Sequence, residues 1–126
     1  MLRKLFCLLF ALPFVGFGQT EVFSEDFEYN EKIVQKKWNA EVKPFFEGLR
    51  NKISTLGPFT HDKIEEAVKT AMEEHNKKFG EVLPVFRVML CGTVQGPPIF
   101  DVAALLGKEK VTARMDKALQ QFDRLS

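Results

Sequence analysis

Apolar residues recur at i, i+3, i+4, i+7 and i+8 in Ile64, Ala67, Val68, Ala71 and Met72. An α-helix gathers that spacing into one stripe, whereas a strand would scatter it over both faces. The same spacing returns in Val82, Val85, Phe86, Met89 and Leu90, and a related one in Val111, Met115, Ala118, Leu119 and Phe122. Helices with one apolar stripe each must bury those stripes against one another. No alternating pattern is strong enough to build a sheet, so the chain is predicted to be all-α, a compact bundle or superhelix of about five short helices.

The breakers divide the chain consistently with this. Phe23 to Asn30 is acidic and aromatic without a period and reads as an extended linker. Helices follow over Glu31 to Trp38 and Val42 to Ile53, with Pro44 tolerated in a first turn and Gly57-Pro58 as a stop. Thr60 is the expected N-cap of the Ile64 helix, Asp62 suits its positive end, and Gly80 is expected to end it in a left-handed conformation. The Val82 helix ends near Gly92. Gln95-Gly96-Pro97-Pro98 then makes a rigid connection, with Pro98 expected at the first position of the helix carrying Ile99, Ala103 and Leu106. Gly107 closes that helix.

The N-terminus has a different character. Arg3 and Lys4 precede an apolar run from Leu5 to Val15, and Gly16-Phe17-Gly18-Gln19 follows with small residues where a signal peptidase reads. This is the layout of a secretory leader. The run is too short for a membrane span of about 20 residues, so no stable span is expected. A buried helix or strand is the competing reading, and loss of the leader would remove Cys7 and leave Cys91 unpaired.

Composition excludes more than it suggests. Among 126 residues, 18 Lys and Arg against 17 Asp and Glu give a formal charge of +1, too small to demand a nucleic-acid partner. Neither cysteine has a second Cys or a His at ligand spacing, so no metal site is expected. His61 and His75 lie about 21 Å apart along a helix, at 1.5 Å per residue, and read as surface or capping side chains. Cys91 reads as a small core residue. Glu65-Glu66 and Glu73-Glu74 look like solvated helix faces. No nucleophile constellation or phosphate loop is present, and no catalytic residue is assigned.

One region departs from this pattern. Arg87 is the only charge between Glu81 and Asp101, and a Gly-Pro-Pro corner followed by Ile99-Phe100 comes soon after it. A planar guanidinium beside a rigid apolar corner suits stacking on, or hydrogen bonding to, an unpaired RNA base. An Arg snorkelling from a helix flank is the alternative.

Three ordered motifs carry a resemblance. They are Phe86-Arg87-Val88-Met89-Leu90-Cys91-Gly92, then Gly96-Pro97-Pro98-Ile99-Phe100-Asp101, then Leu105-Leu106-Gly107-Lys108-Glu109 with Arg114. Together they resemble the C-terminal anticodon-binding domain of bacterial glutamyl-tRNA synthetases, class I enzymes. Tyr29-Asn30-Glu31-Lys32, Lys36-Lys37-Trp38 and Lys77-Lys78-Phe79-Gly80 extend the similarity over most of the chain. The resemblance implies an all-helical module that grips the tRNA anticodon loop, with Arg87, Gly96, Pro97 and Ile99 at the RNA. With the signal-like leader over 1–20, the chain divides further into an entry linker and first helix over 21–39 and a helical anticodon-binding domain over 40–126. Gly96 stands where the family often has Thr or Ser, and Pro98 where Gly is common, so a side-chain hydroxyl contact is missing. Nothing like the family's two ATP-binding signatures occurs. The resemblance therefore implies a fragment that is non-catalytic alone and holds no cofactor. ATP and Mg would belong to the catalytic half, and a separate catalytic region is a further implied partner. It also implies a cytoplasmic location, whereas the leader leaves open a small exported helical protein of unknown partner.

Overall fold

The computed structural model describes residues 27–126. Every regular element among them is a helix: α1 Glu31–Lys37, α2 Val42–Ser54, α3 His61–His75, α4 Phe79–Cys91, α5 Ile99–Leu106 and α6 Lys108–Leu125. The segment 1–20, with Cys7, lies outside the described residues, as does the start of the linker.

Local chemistry explains most boundaries. Asn30 caps α1 by accepting the Ile33 N–H at 3.2 Å, and Thr60 caps α3 by accepting the Lys63 N–H at 3.3 Å. The end of α3 corrects the expectation for Gly80. Asn76 supplies the left-handed residue (φ 54°), and Gly80 lies in the first turn of α4. Asparagine tolerates this conformation because its short polar side chain can bond locally, so the helix stops four residues earlier than a glycine-only rule gives. Pro98 likewise sits one place earlier than expected, as the N-cap of α5. A single residue separates α5 from α6: Gly107, at φ 90° and ψ 158°, donates to Ala103 O and accepts from Val111 N. That backbone conformation is essentially confined to glycine.

The stripes face inward. The long α6 packs against α1, α2, α4 and α5, while α3 packs against α2 and α5. Phe45, Phe46, Phe86 and Phe122 are fully buried, and Trp38 meets Phe122 edge-on with centroids 5.3 Å apart. Polar ties close the rim. Trp38 Nε1 donates to Asp123 at 2.9 Å, and Arg50 forms a two-pronged pair with Asp116 at 2.8 and 2.9 Å. The bonds from Lys43 and Trp38 hold the Asp123 carboxyl below its ordinary range. His75 is half-buried, edge-on to Phe45.

Pro84 lies inside α4 and has no N–H to offer the carbonyl of Gly80, four residues back. Lys37 of α1 donates its ammonium to that carbonyl at 3.1 Å, so the bond lost to proline is replaced across helices. We expect Lys37→Met to cost about 1 kcal/mol in urea unfolding, the usual worth of one hydrogen bond. The cost should shrink in a Pro84→Ala background, where the alanine supplies a backbone N–H of its own. Equal costs in both backgrounds would show that Lys37 does not compensate for the proline.

Candidate nucleic-acid interface

The corner after α4 is shaped by two glycines. Gly92 ends α4 at φ 82°, its N–H bonding to Val88 O at 2.8 Å. Its carbonyl accepts the Asn30 N–H at 2.8 Å, which draws the extended segment before α1 against the end of α4. Gly96, at φ 139°, turns the chain again and delivers Pro97 and Pro98 to the surface.

Arg87 reaches this corner from α4. Its Nη1 donates to the Pro97 carbonyl at 2.6 Å, and a β-carbon at residue 96 would lie 3.7 Å from the same nitrogen. Arg87, Gly96 and Pro97 thus form one cluster. Arg87 as a residue is half-buried but its bond to Pro97 is exposed, and among the described residues its other nitrogens make no hydrogen bond and it has no carboxylate partner. A guanidinium fixed by one donor keeps the others and its flat face for a ligand. Ile99 lies elsewhere: it is 4% exposed and belongs to the core. Pro97 and the guanidinium, rather than the Ile99 side chain, make up the accessible surface.

Arg114 supports the corner from below, and its role was not assigned from sequence. It is 3% exposed, donates to the Leu90 carbonyl at 2.6 Å and lies 5.1 Å over the Phe27 ring. A signal for this was present. Arg114 is three residues after Val111 and four before Ala118, so it falls on the buried stripe of α6. Cys91, one turn beyond Arg87, is half-buried, and desolvation raises its thiol pKa while the two arginines pull the other way.

His61 stands at the far side of the corner. Its Nδ1 is 2.5 Å from Asp101 Oδ1 in the first turn of α5, and its Nε2 is 3.7 Å from Glu65 Oε1. His61, Asp62 and Glu65 bring ligand-type atoms within 4.8 Å of one another. The cluster is largely solvated and Nδ1 is committed to Asp101, so ion pairing accounts for it. A groove along α3 is lined by four carboxylates, Asp62, Glu65, Glu66 and Glu73, against two lysines, Lys69 and Lys77, a balance that disfavours a phosphate backbone. Glu65 and Glu74 pair with Lys69 and Lys52 at 3.4 and 3.1 Å. No helix among the described residues is long and apolar enough to cross a membrane.

Comparison with known proteins finds relatives over most of the chain. Residues 18–119 match the family described as "Anticodon binding domain". The chain is 42% identical over 102 residues to a glutamate–tRNA ligase of Geotalea uraniireducens, covering 81% of this chain and 22% of that protein. It is 35% identical over 92 residues to one of Nitratidesulfovibrio vulgaris, covering 73% and 20%. A crystal structure of a glutamate tRNA ligase from Elizabethkingia meningosepticum, in complex with its amino acid, superposes with a TM-score of 0.75 at 27% identity. It covers 82% of this chain and 20% of that one. The chain thus spans about a fifth of the length of the relatives it matches.

Proposed function

The chain belongs to the anticodon binding domain family, and on that premise we propose that it reads the tRNA anticodon for a glutamate–tRNA ligase. The tRNA is the RNA partner, and the cytoplasm the place of work. Condensation of glutamate with tRNA at the expense of ATP falls to a separate catalytic region, and this chain is non-catalytic alone. The observation that carries the reading is the corner itself. Arg87 is anchored to the Pro97 carbonyl with its remaining donors free among the described residues. An unpaired base can lie against Pro97 and the guanidinium face, while the free nitrogens donate to acceptors on its edge. With a formal charge of +1, general phosphate attraction adds little, so base contacts carry the selectivity. Gly96 lacks the hydroxyl common at this position in the family, and backbone groups of the corner take its place.

Binding of anticodon stem-loops tests this. Arg87→Ala should weaken a glutamate-type stem-loop by roughly 1 to 3 kcal/mol, the range for one base stack or bidentate contact. An anticodon-swapped loop should lose much less. Arg87→Lys keeps the charge and a donor for Pro97 but not the planar fork, so it should keep affinity better than preference. Lys63→Ala should cost less, through salt-dependent attraction alone. If the wild type shows no preference, or Arg87→Ala weakens both loops equally, Arg87 does not read a base.

A further inference from the structure

The loop that carries Pro97 is restrained at two points. The first is the Arg87 bond to the Pro97 carbonyl. The second is where the loop enters α5: the Pro98 carbonyl accepts the N–H groups of Asp101 and Val102, each at 3.1 Å, which makes the loop end and the first turn of α5 one unit. That turn is gripped from α3. His61 bonds Asp101 through Nδ1 at 2.5 Å, and its ring meets Phe100 edge-on with centroids 5.6 Å apart. Phe100 is buried, so the ring contact seats His61 against the core.

We propose that His61 is a positioning residue for this corner, pinning the first turn of α5 to α3 and so holding Pro97 where Arg87 can use it. The inference rests on the reading above of Arg87 as a base reader. Its chemistry follows from the groups facing the ring, which are Asp101 from α5 and Glu65 and Asp62 from α3. A protonated imidazole donates from Nδ1 to Asp101 and its charge also attracts Glu65 at 3.7 Å, whereas a neutral ring can keep the Asp101 bond but loses the charge that reinforces it. The hydrogen bond to Asp101, reinforced by the charges of Asp101, Glu65 and Asp62, raises the His61 pKa above its ordinary value of 6.5. The sign follows. With the folded pKa raised, the grip is complete below the ordinary value and weakens as pH rises through the raised one.

The test uses the RNA-free chain first. Amide resonances of Gly96 and the imidazole of His61 are followed by NMR between about pH 5 and 9, the range in which histidine titrates. Gly96 should move with the His61 midpoint, and His61→Ala should abolish that movement. His61→Asn keeps a donor near the Nδ1 position without titrating, so it should hold Gly96 near its low-pH position throughout. In the RNA arm, His61→Ala should lower the ratio of cognate to swapped stem-loop affinity by about fivefold, the lower end of usual coupling between sites. His61→Asn should restore it and remove its pH dependence. A Gly96 resonance that ignores His61, or a folded His61→Asn that rescues nothing, overturns the proposal. A wild type whose Gly96 follows His61 but whose stem-loop binding lacks preference supports the grip on the corner and overturns the base-reading function alone.

Discussion

Gly92→Ala should destabilise the fold by about 3 to 5 kcal/mol, a large part of the roughly 5 to 15 available to a domain. Two separable effects add. At φ 82° an L side chain is strained, which by itself costs about 1 to 2 kcal/mol. The new methyl would also fall inside the contact shell of the Glu28 carbonyl oxygen and 2.7 Å from Phe27 Cδ1. Backbone cannot yield there without carrying Phe27, Tyr29 and the Asn30 N–H bond to Gly92 away from the core. The difference between Asn76→Ala and Asn76→Gly isolates the first effect, because Asn76 is also a left-handed C-cap (φ 54°) and already holds an L side chain. Denaturant unfolding of the three variants gives the comparison. A Gly92→Ala cost no larger than that difference would mean that the extended segment does not seal the end of α4.

The second large effect is expected at Arg114. Truncation to alanine should cost about 2 to 4 kcal/mol, since it leaves a buried carbonyl without its donor, removes the cation from the Phe27 face and opens a void. The carbonyl concerned, that of Leu90, lies in the last turn of α4, where the helix has no N–H to offer and its dipole favours a cation. Arg114→Lys restores charge but reaches the site with a single flexible group, so it should recover only part of the loss. Amide exchange locates the effect: the end of α4 and the segment around Phe27 should lose protection first. Uniform loss of protection over all six helices would assign Arg114 to general packing rather than to the end of α4.

The candidate site was legible to different degrees. Arg87 stood out as a lone cation between Glu81 and Asp101, and the Gly-Pro-Pro corner as a rigid turn, because both are properties of residue order. Their contact, through Nη1 and the Pro97 carbonyl ten residues on, is not such a property; it depends on where the loop folds back. Ile99 shows the converse. The resemblance puts it at the RNA, yet the first turn of α5 places its side chain in the core, in line with its spacing to Ala103 and Leu106. His61 reads correctly as a polar residue at a helix start, while its bond to Asp101, forty residues away, requires α3 and α5 to be packed together.

Residue order by itself determined the class of structure and most of its punctuation. Apolar spacing near 3.6 residues leaves no alternative to helices, and Thr60, Gly92 and Gly107 act on backbone within a few positions, where local chemistry suffices. Where a position admits two local solutions, neighbours decided: Asn76 took the left-handed turn expected of Gly80, which instead entered α4 and received a lysine from α1 on its unpaired carbonyl. Tertiary structure alone decided which carbonyls the long basic side chains serve. Arg114 under Leu90, Lys37 on Gly80 and Arg87 on Pro97 each join a long side chain to a backbone oxygen far along the chain or across a loop. Such bonds form only after the stripes have packed, because a single hydrogen bond worth about 1 kcal/mol cannot offset the entropy of bringing distant segments together.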